Sequence, residues 1–372
     1  MNSTASSETE DTFSYPGHKT TNKPHFMLGV RRGENIAMAQ TTPLIRQLGQ
    51  TLATASAAFE RPSGLVSRPV LQRILGAIWL LDGLLQLQPV LFSRYLIDGV
   101  MQPTTQGQPE LVARCLQMLI DVTAQHVVAA NASIAGVELL LGLCLLGNRW
   151  ARAALLASIA WALMVWTGGE GFGMLLTGQA SILTGAPGPA LLYLILGVLA
   201  YPGTRWSEQT LRAIVAGFWV LAAALQLQPV WWRPGQIART IAGNGSPDTL
   251  QGVLFDPVLQ GLTQATRAME VPLNLGLVVL ALALTVGVTM APGQQLCPVL
   301  AISMGLSLLL WCATEGCGLL LTGTATDVSS GPLLVVLMLA CWPRRRTAGR
   351  QEGRGRWPTV GIAVSLPQME QR

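Results

Sequence analysis

Trp166-Thr167-Gly168-Gly169-Glu170-Gly171-Phe172-Gly173-Met174-Leu175-Leu176-Thr177-Gly178-Gln179-Ala180 returns 145 residues later as Trp311-Cys312-Ala313-Thr314-Glu315-Gly316-Cys317-Gly318-Leu319-Leu320-Leu321-Thr322-Gly323-Thr324-Ala325. The shared pattern is W-x3-E-G-x-G-x-L-L-T-G-x-A. A second pair precedes it: Leu85-Gln86-Leu87-Gln88-Pro89-Val90 recurs unchanged as Leu225-Gln226-Leu227-Gln228-Pro229-Val230, at an offset of 140. Two motifs in the same order at nearly constant offset identify a tandem duplication.

The duplicated unit is apolar. Half of the 372 residues are hydrophobic and 12% are charged, against about 25% in a soluble domain. From residue 74 to 343 there are nine arginines, twelve acids and no lysine. So few charges cannot cover a soluble surface of this size, and the chain reads as an all-α integral membrane protein. Apolar segments fall at 74–92, 127–147, 151–167, 188–202, 211–231, 272–291, 296–313 and 331–343. Most approach the roughly 20 residues that cross a hydrocarbon core. Eight spans in two units of four put both copies in the same orientation, as parallel-repeat four-helix bundles. The organisation read from sequence is a tail over 1–70, a first repeat over 71–202, a second over 211–343 and a basic tail over 344–372.

The arginines orient the bundle. Arg61, Arg68 and Arg73, then Arg149 and Arg152, then Arg205 and Arg212, then the cluster Arg344, Arg345, Arg346, Arg350, Arg354 and Arg356 fall on one side. That side is expected to be the cytoplasm, with both termini there. Arg94, Arg114, Arg233, Arg239 and Arg267 fall on the other, in longer loops that also carry acids. The net charge of +5 therefore points to the lipid bilayer and not to nucleic acid. Residues 1–35 are polar and read as disordered, with Met38 as an alternative start. Residues 44–59 have near-helical apolar spacing, as an interfacial helix would. Amphipathic stretches at 109–125 and 247–268 read as short helices over the extracytoplasmic face.

On that face lie all four motif copies. Glu170 and Glu315 each follow a span and open a glycine-punctuated segment. Ionisable groups at such places are rare and tend to be functional; the alternative is a helix cap or an arginine partner. Thr177 and Thr322 follow seven residues later, at a helix end or re-entrant turn. Asp327 adds an acid in the later copy only. Gln86, Gln88, Gln226 and Gln228 place amides at helix ends, able to hold a quinone carbonyl or a solute hydroxyl, or to satisfy carbonyls freed by Pro89 and Pro229. Asp82 and Glu138 are intramembrane acids without counterparts; Ala222 stands in place of Asp82. They are expected either to share a proton or to face a cavity. His126 stands alone and makes no metal site. The six cysteines show no metal or redox spacing and read as small buried hydrophobes. No nucleotide-binding or hydrolase motif occurs, which leaves enzymatic activity open and no cofactor readable.

The first span, Ile74-Leu75-Gly76-Ala77-Ile78-Trp79-Leu80-Leu81-Asp82-Gly83-Leu84-Leu85-Gln86-Leu87-Gln88-Pro89, together with the count of four helices per unit, resembles the DoxX/DoxD-like membrane proteins. The resemblance implies a four-helix bundle that serves a membrane redox complex, with quinone nearby and a redox protein as partner. Three functions remain in view: a quinone-interacting or structural subunit of such a complex, a transporter or channel-like protein with a polar site between the repeats near the extracytoplasmic face, and an assembly or sensing protein.

Overall fold

The computed structural model describes residues 66–343, apart from Arg149, Thr204 and Arg205. The stretch at 44–59, the start at Met38, Arg61 and the basic cluster beyond 343 lie outside the described residues, as do two of the orienting arginines.

The described chain is helical and contains no strand element. In order, the α-helices are α1 (Arg68–Leu85), α2 (Glu110–Gln125), α3 (Val127–Gly147), α4 (Ala151–Met164), α5 (Pro189–Ala200), α6 (Glu208–Gln226), α7 (Gln236–Ala242), α8 (Leu250–Arg267), α9 (Glu270–Met290), α10 (Leu296–Thr314) and α11 (Ser330–Cys341). Each apolar segment of the sequence is occupied by one of them. Five stretches are long and apolar enough to cross a membrane: Val127–Gly147, Ala151–Gly169, Glu208–Gln226, Glu270–Met290 and Gly293–Thr314. Their outer faces carry exposed side chains such as Leu140, Leu143, Val279, Val286 and Leu309, which suit lipid and not water. Helices α5 and α11 are apolar but shorter, and α1 carries Arg68, Arg73 and Asp82 within 18 residues.

Local chemistry sets the helix limits. Helix α1 starts earlier than its apolar run, with Pro69 in the first turn, where no N–H is needed. It stops at Leu85, not at 92. Pro89 cannot donate to a continuing helix, and Pro89–Phe92 winds as a separate 3-10 turn. Helix α6 ends at Gln226 for the same reason, and Pro229–Trp232 repeats the turn. The amphipathic stretches form α2 and α8; Thr249 caps α8 by accepting from Gly252 N–H.

Helices α1 and α3 form a tight pair. A Cβ added at Gly142 would lie 2.6 Å from the Leu80 nitrogen, and one at Gly76 2.8 Å from Leu145 Cβ. Small residues let the backbones approach this closely. Helices α6 and α9 form the corresponding pair later in the chain, and α5 and α11 lie side by side between the pairs. One apolar core runs through both, from Leu75, Trp79 and Leu145 to Trp219, Leu284 and Leu333.

Candidate functional site

The E-G-x-G segment folds identically in both places. Gly171, Phe172, Gly173 and Met174 have φ of +53°, +60°, +59° and +59°; Gly316, Cys317, Gly318 and Leu319 have +54°, +53°, +67° and +54°. This is a left-handed turn of four residues. Each non-glycine residue there costs roughly 1–2 kcal/mol, so glycine at two of the four positions halves the strain. Gly173 also packs directly on the Pro187 carbonyl, where no side chain fits, and Gly318 approaches the Val328 carbonyl. Gln108 donates to the Gly171 carbonyl at 2.8 Å, and Gln251 to the Gly316 carbonyl at 2.7 Å. Trp166 donates to Pro187 O, and Trp311 to Val328 O. Thr177 and Thr322 each bond back three residues, to Met174 O and Leu319 O, closing the turn that follows.

The turn aims each glutamate at the N-terminus of a later helix. Glu170 Oε1 accepts from Ala190 N–H in the first turn of α5 at 2.8 Å. Glu315 Oε2 accepts from Ser330 N–H at the start of α11 at 3.0 Å, and from the Ser329 hydroxyl. The helix capped is therefore not the adjoining Leu-Leu-Thr-Gly turn. No described arginine pairs with either carboxylate. Burial pushes Glu170 from the usual 4.5 up to about 8, helped by the nearby Asp327 and opposed by the Ala190 N–H. Glu315 is also raised by burial, against its bonds to Ser329 and Ser330. Asp327 is raised by burial, although Ser329 N–H and the Thr326 hydroxyl donate to it.

The loops after the turns cross over. Ser181 donates to Gln226 at 2.7 Å, Trp231 donates to Ala180 O, and Leu183 enters the core that contains Trp219. In the other direction, Thr326 and Asp327 reach the cavity enclosed by α1, α3, α4 and α5. The loops touch where Ser330 Oγ donates to Gly185 O at 2.6 Å.

That cavity is about 690 Å³. Asp82, Glu138, Glu170 and Asp327 line it, with Trp79, Trp161, Tyr193 and Gln86; among the described residues its lining contains no Lys, Arg or His. Tyr193 donates to Asp82, Trp79 stacks near Tyr193 with ring centroids 4.3 Å apart, and Trp79 donates to Ser158. Asp82 Oδ1, Gln86 Oε1, Glu138 Oε2, Glu170 Oε2 and Trp161 Nε1 are buried and have no hydrogen-bond partner. A second cavity, about 540 Å³, is lined by Glu315, Asp327, Arg239, Asn244 and Tyr95. Asp327 lies on both.

The structure thus divides the residues singled out in the sequence. Asp82, Glu138, Glu170, Asp327 and Gln86 share one cavity, and Glu315 lies on the other. Gln226 is engaged by Ser181. Gln88 lies beside Gly323, and neither it nor Gln228, Thr177 or Thr322 lines either cavity. The sequence reading passed over Tyr193, Trp79 and Trp161, whose apolar surroundings mark them as core. It also passed over Asn131 and Asn274, which donate to the Gln86 and Gln226 carbonyls at 2.8 and 3.1 Å. These carbonyls are freed where a proline ends each helix, so an asparagine on the paired span was the available signal. Among the described residues no metal-ligating cluster occurs. No protein-family model matches the chain, and neither a curated protein nor a solved structure matches it.

Proposed function

We propose that this is a polytopic membrane protein of two parallel four-helix repeats with eight spans and both termini cytoplasmic, and that it acts as a transporter-type solute binder through the acidic cavity of its first repeat. The observation that carries the reading is the convergence of four carboxyl groups on a cavity whose lining, among the described residues, contains no base. Four charges of one sign cannot be buried together; such a cluster holds protons or admits a cation. The volume lies within the ~300–1,000 Å³ of small-molecule sites. The matched hydrogen bonds of Asn131 and Asn274, Gln108 and Gln251, and Glu170 and Glu315 support the repeat. Proteoliposomes loaded with a pH-sensitive dye test the reading. A solute that moves protons through the wild-type protein and not through Asp82→Asn/Glu138→Gln is expected. Proton movement that persists unchanged in the double variant would reject the cavity as the route.

A second reading, a quinone-interacting subunit of a membrane redox complex as the DoxX/DoxD-like resemblance implies, is favoured by the Gln86 amide on the cavity wall. It is tested by extracting quinone from protein purified in mild detergent and by identifying a co-purifying redox partner.

A further inference from the structure

Within the transporter reading, on which this rests, the composition of the cavity wall narrows the solute. We infer that the first-repeat cavity binds a lipophilic monovalent organic cation, such as a quaternary or protonated amine with aromatic or alkyl substituents, with the carboxyl groups of Asp82, Glu138 and Asp327 as counter-charge and the aromatic side chains as its apolar bed.

Three observations combine. First, the acids face the cavity from four directions: Asp82 from α1, Glu138 from α3, Glu170 from the turn after α4, and Asp327 from the crossing loop. The other titratable groups nearby are Tyr193, which donates to Asp82, and Glu315, which lies across the Asp327 loop. Second, five polar atoms of the lining residues are buried with no hydrogen-bond partner: Asp82 Oδ1, Gln86 Oε1, Glu138 Oε2, Glu170 Oε2 and Trp161 Nε1. The four oxygens are acceptors. An anion or a solute offering only acceptors would leave these four unsatisfied, whereas a cation compensates the carboxylates and a protonated amine can also donate to Gln86. Third, the remaining wall is apolar and aromatic, with Trp79, Trp161, Tyr193, Met164, Leu119 and Ile134. A metal ion would gain nothing from such a wall. A large cation of low charge density is held by ring faces and by burial of its substituents. Together these features exclude anions by charge and hydrophilic cations by desolvation.

Protons compete for the same carboxylates. With Glu170 titrating near 8 and Asp327 also raised, a cation should bind better as pH rises, releasing a proton as it enters.

The test measures equilibrium binding to the full chain in nanodiscs, followed by tryptophan quenching and radioligand retention. The probes are tetraphenylphosphonium, its uncharged relative triphenylphosphine oxide, tetraphenylborate and decylubiquinone. Tetraphenylphosphonium is expected to bind saturably, at least about tenfold more tightly at pH 9 than at pH 6, as one displaced proton allows. The neutral and anionic probes should not compete. Glu138→Gln and Asp327→Asn should each weaken cation binding at least about fivefold and flatten its pH dependence. If either variant fails to fold, the comparison of wild type with charged and uncharged probes decides the matter. Absence of saturable cation binding at pH 9, or equal binding of the uncharged relative, overturns the inference. If proton movement with another solute still depends on Asp82 and Glu138, the transporter reading survives that result. Saturable binding of decylubiquinone alone rejects both in favour of the redox reading.

Discussion

Aligned by the repeated motifs, the two halves place different chemistry at the same positions. Asp82 corresponds to Ala222 at the 140-residue offset; counted from the paired asparagines Asn131 and Asn274, Glu138 corresponds to Ala281. Counted from the capped residues Ala190 and Ser330, Tyr193 corresponds to Leu333. The crossing loops follow suit. The loop entering the first bundle brings Thr326 and Asp327, and the one entering the second brings Ile182 and Leu183, which are buried in its core. What the halves share holds helices in place: the left-handed turn, the glutamate cap, the asparagine on the freed carbonyl. What they do not share is the filling. Around the aligned positions the later half is packed with apolar side chains, and the earlier half opens into the larger acidic cavity. The acids without a counterpart, Asp82, Glu138 and Asp327, gather at one cavity, beside the matched Gln86 and Glu170.

The largest expected effect comes from making the packed half resemble the open one. Ala222→Asp and Ala281→Glu place unpaired acids in a filled core and should each cost about 3–5 kcal/mol, as lone buried charges do. Asp82→Asn and Glu138→Gln in the open half should change stability by no more than about 1 kcal/mol. Unfolding midpoints in detergent check both, and equal losses in the two halves would dissolve the contrast. Next is the left-handed turn. Gly173→Ala should cost over about 2 kcal/mol, since its Cβ meets the Pro187 carbonyl as well as an unfavourable φ. Gly178→Ala has φ of +70° with open space around its Cβ and should cost about 1 kcal/mol. A reversed order would mean that strain at the turn is not set by close approach.

A smaller effect is a pH dependence. Folding lifts Glu170 from 4.5 to about 8, so the native state binds more protons than the unfolded one between those values. The stability this group contributes is fully present below about 4.5 and is lost as pH rises through about 8. Glu170→Gln should flatten that slope in a pH series of unfolding midpoints. An unaltered slope would mean that the group is not the one titrating. Smallest is Ser181→Ala, which removes the hydrogen bond to Gln226 and should cost about 1 kcal/mol. Gln86, which has no such partner, should tolerate Gln86→Leu better.

Much of the helical frame was legible because its signals are local. Apolar runs marked the helices, and Pro89, Pro229 and the glycines marked their limits. The repeated motif also pointed to Glu170 and Glu315, but as a shared site between the halves, whereas each caps the next α-helix in the chain. Nothing local shows that a loop from one bundle will cross into the other, so Asp327 could not be joined to Asp82 and Glu138 from sequence. Tyr193 was hidden for a different reason: within Leu-Leu-Tyr-Leu-Ile-Leu it reads as one more buried apolar residue, and only its contact with Asp82 reveals its polar end.

On the proposed reading, the carboxyl cluster of the first-half cavity gives up protons when a cation enters. Infrared difference spectroscopy of the protein in a lipid film, perfused with and without tetraphenylphosphonium at constant pH, reads this directly. The cation is expected to remove intensity from the protonated carboxylic C=O band and add it to the carboxylate bands, and Asp82→Asn/Glu138→Gln/Glu170→Gln/Asp327→Asn to abolish the change. A C=O band unaffected by the cation, or an identical change in the variant lacking all four carboxyl groups, would contradict this.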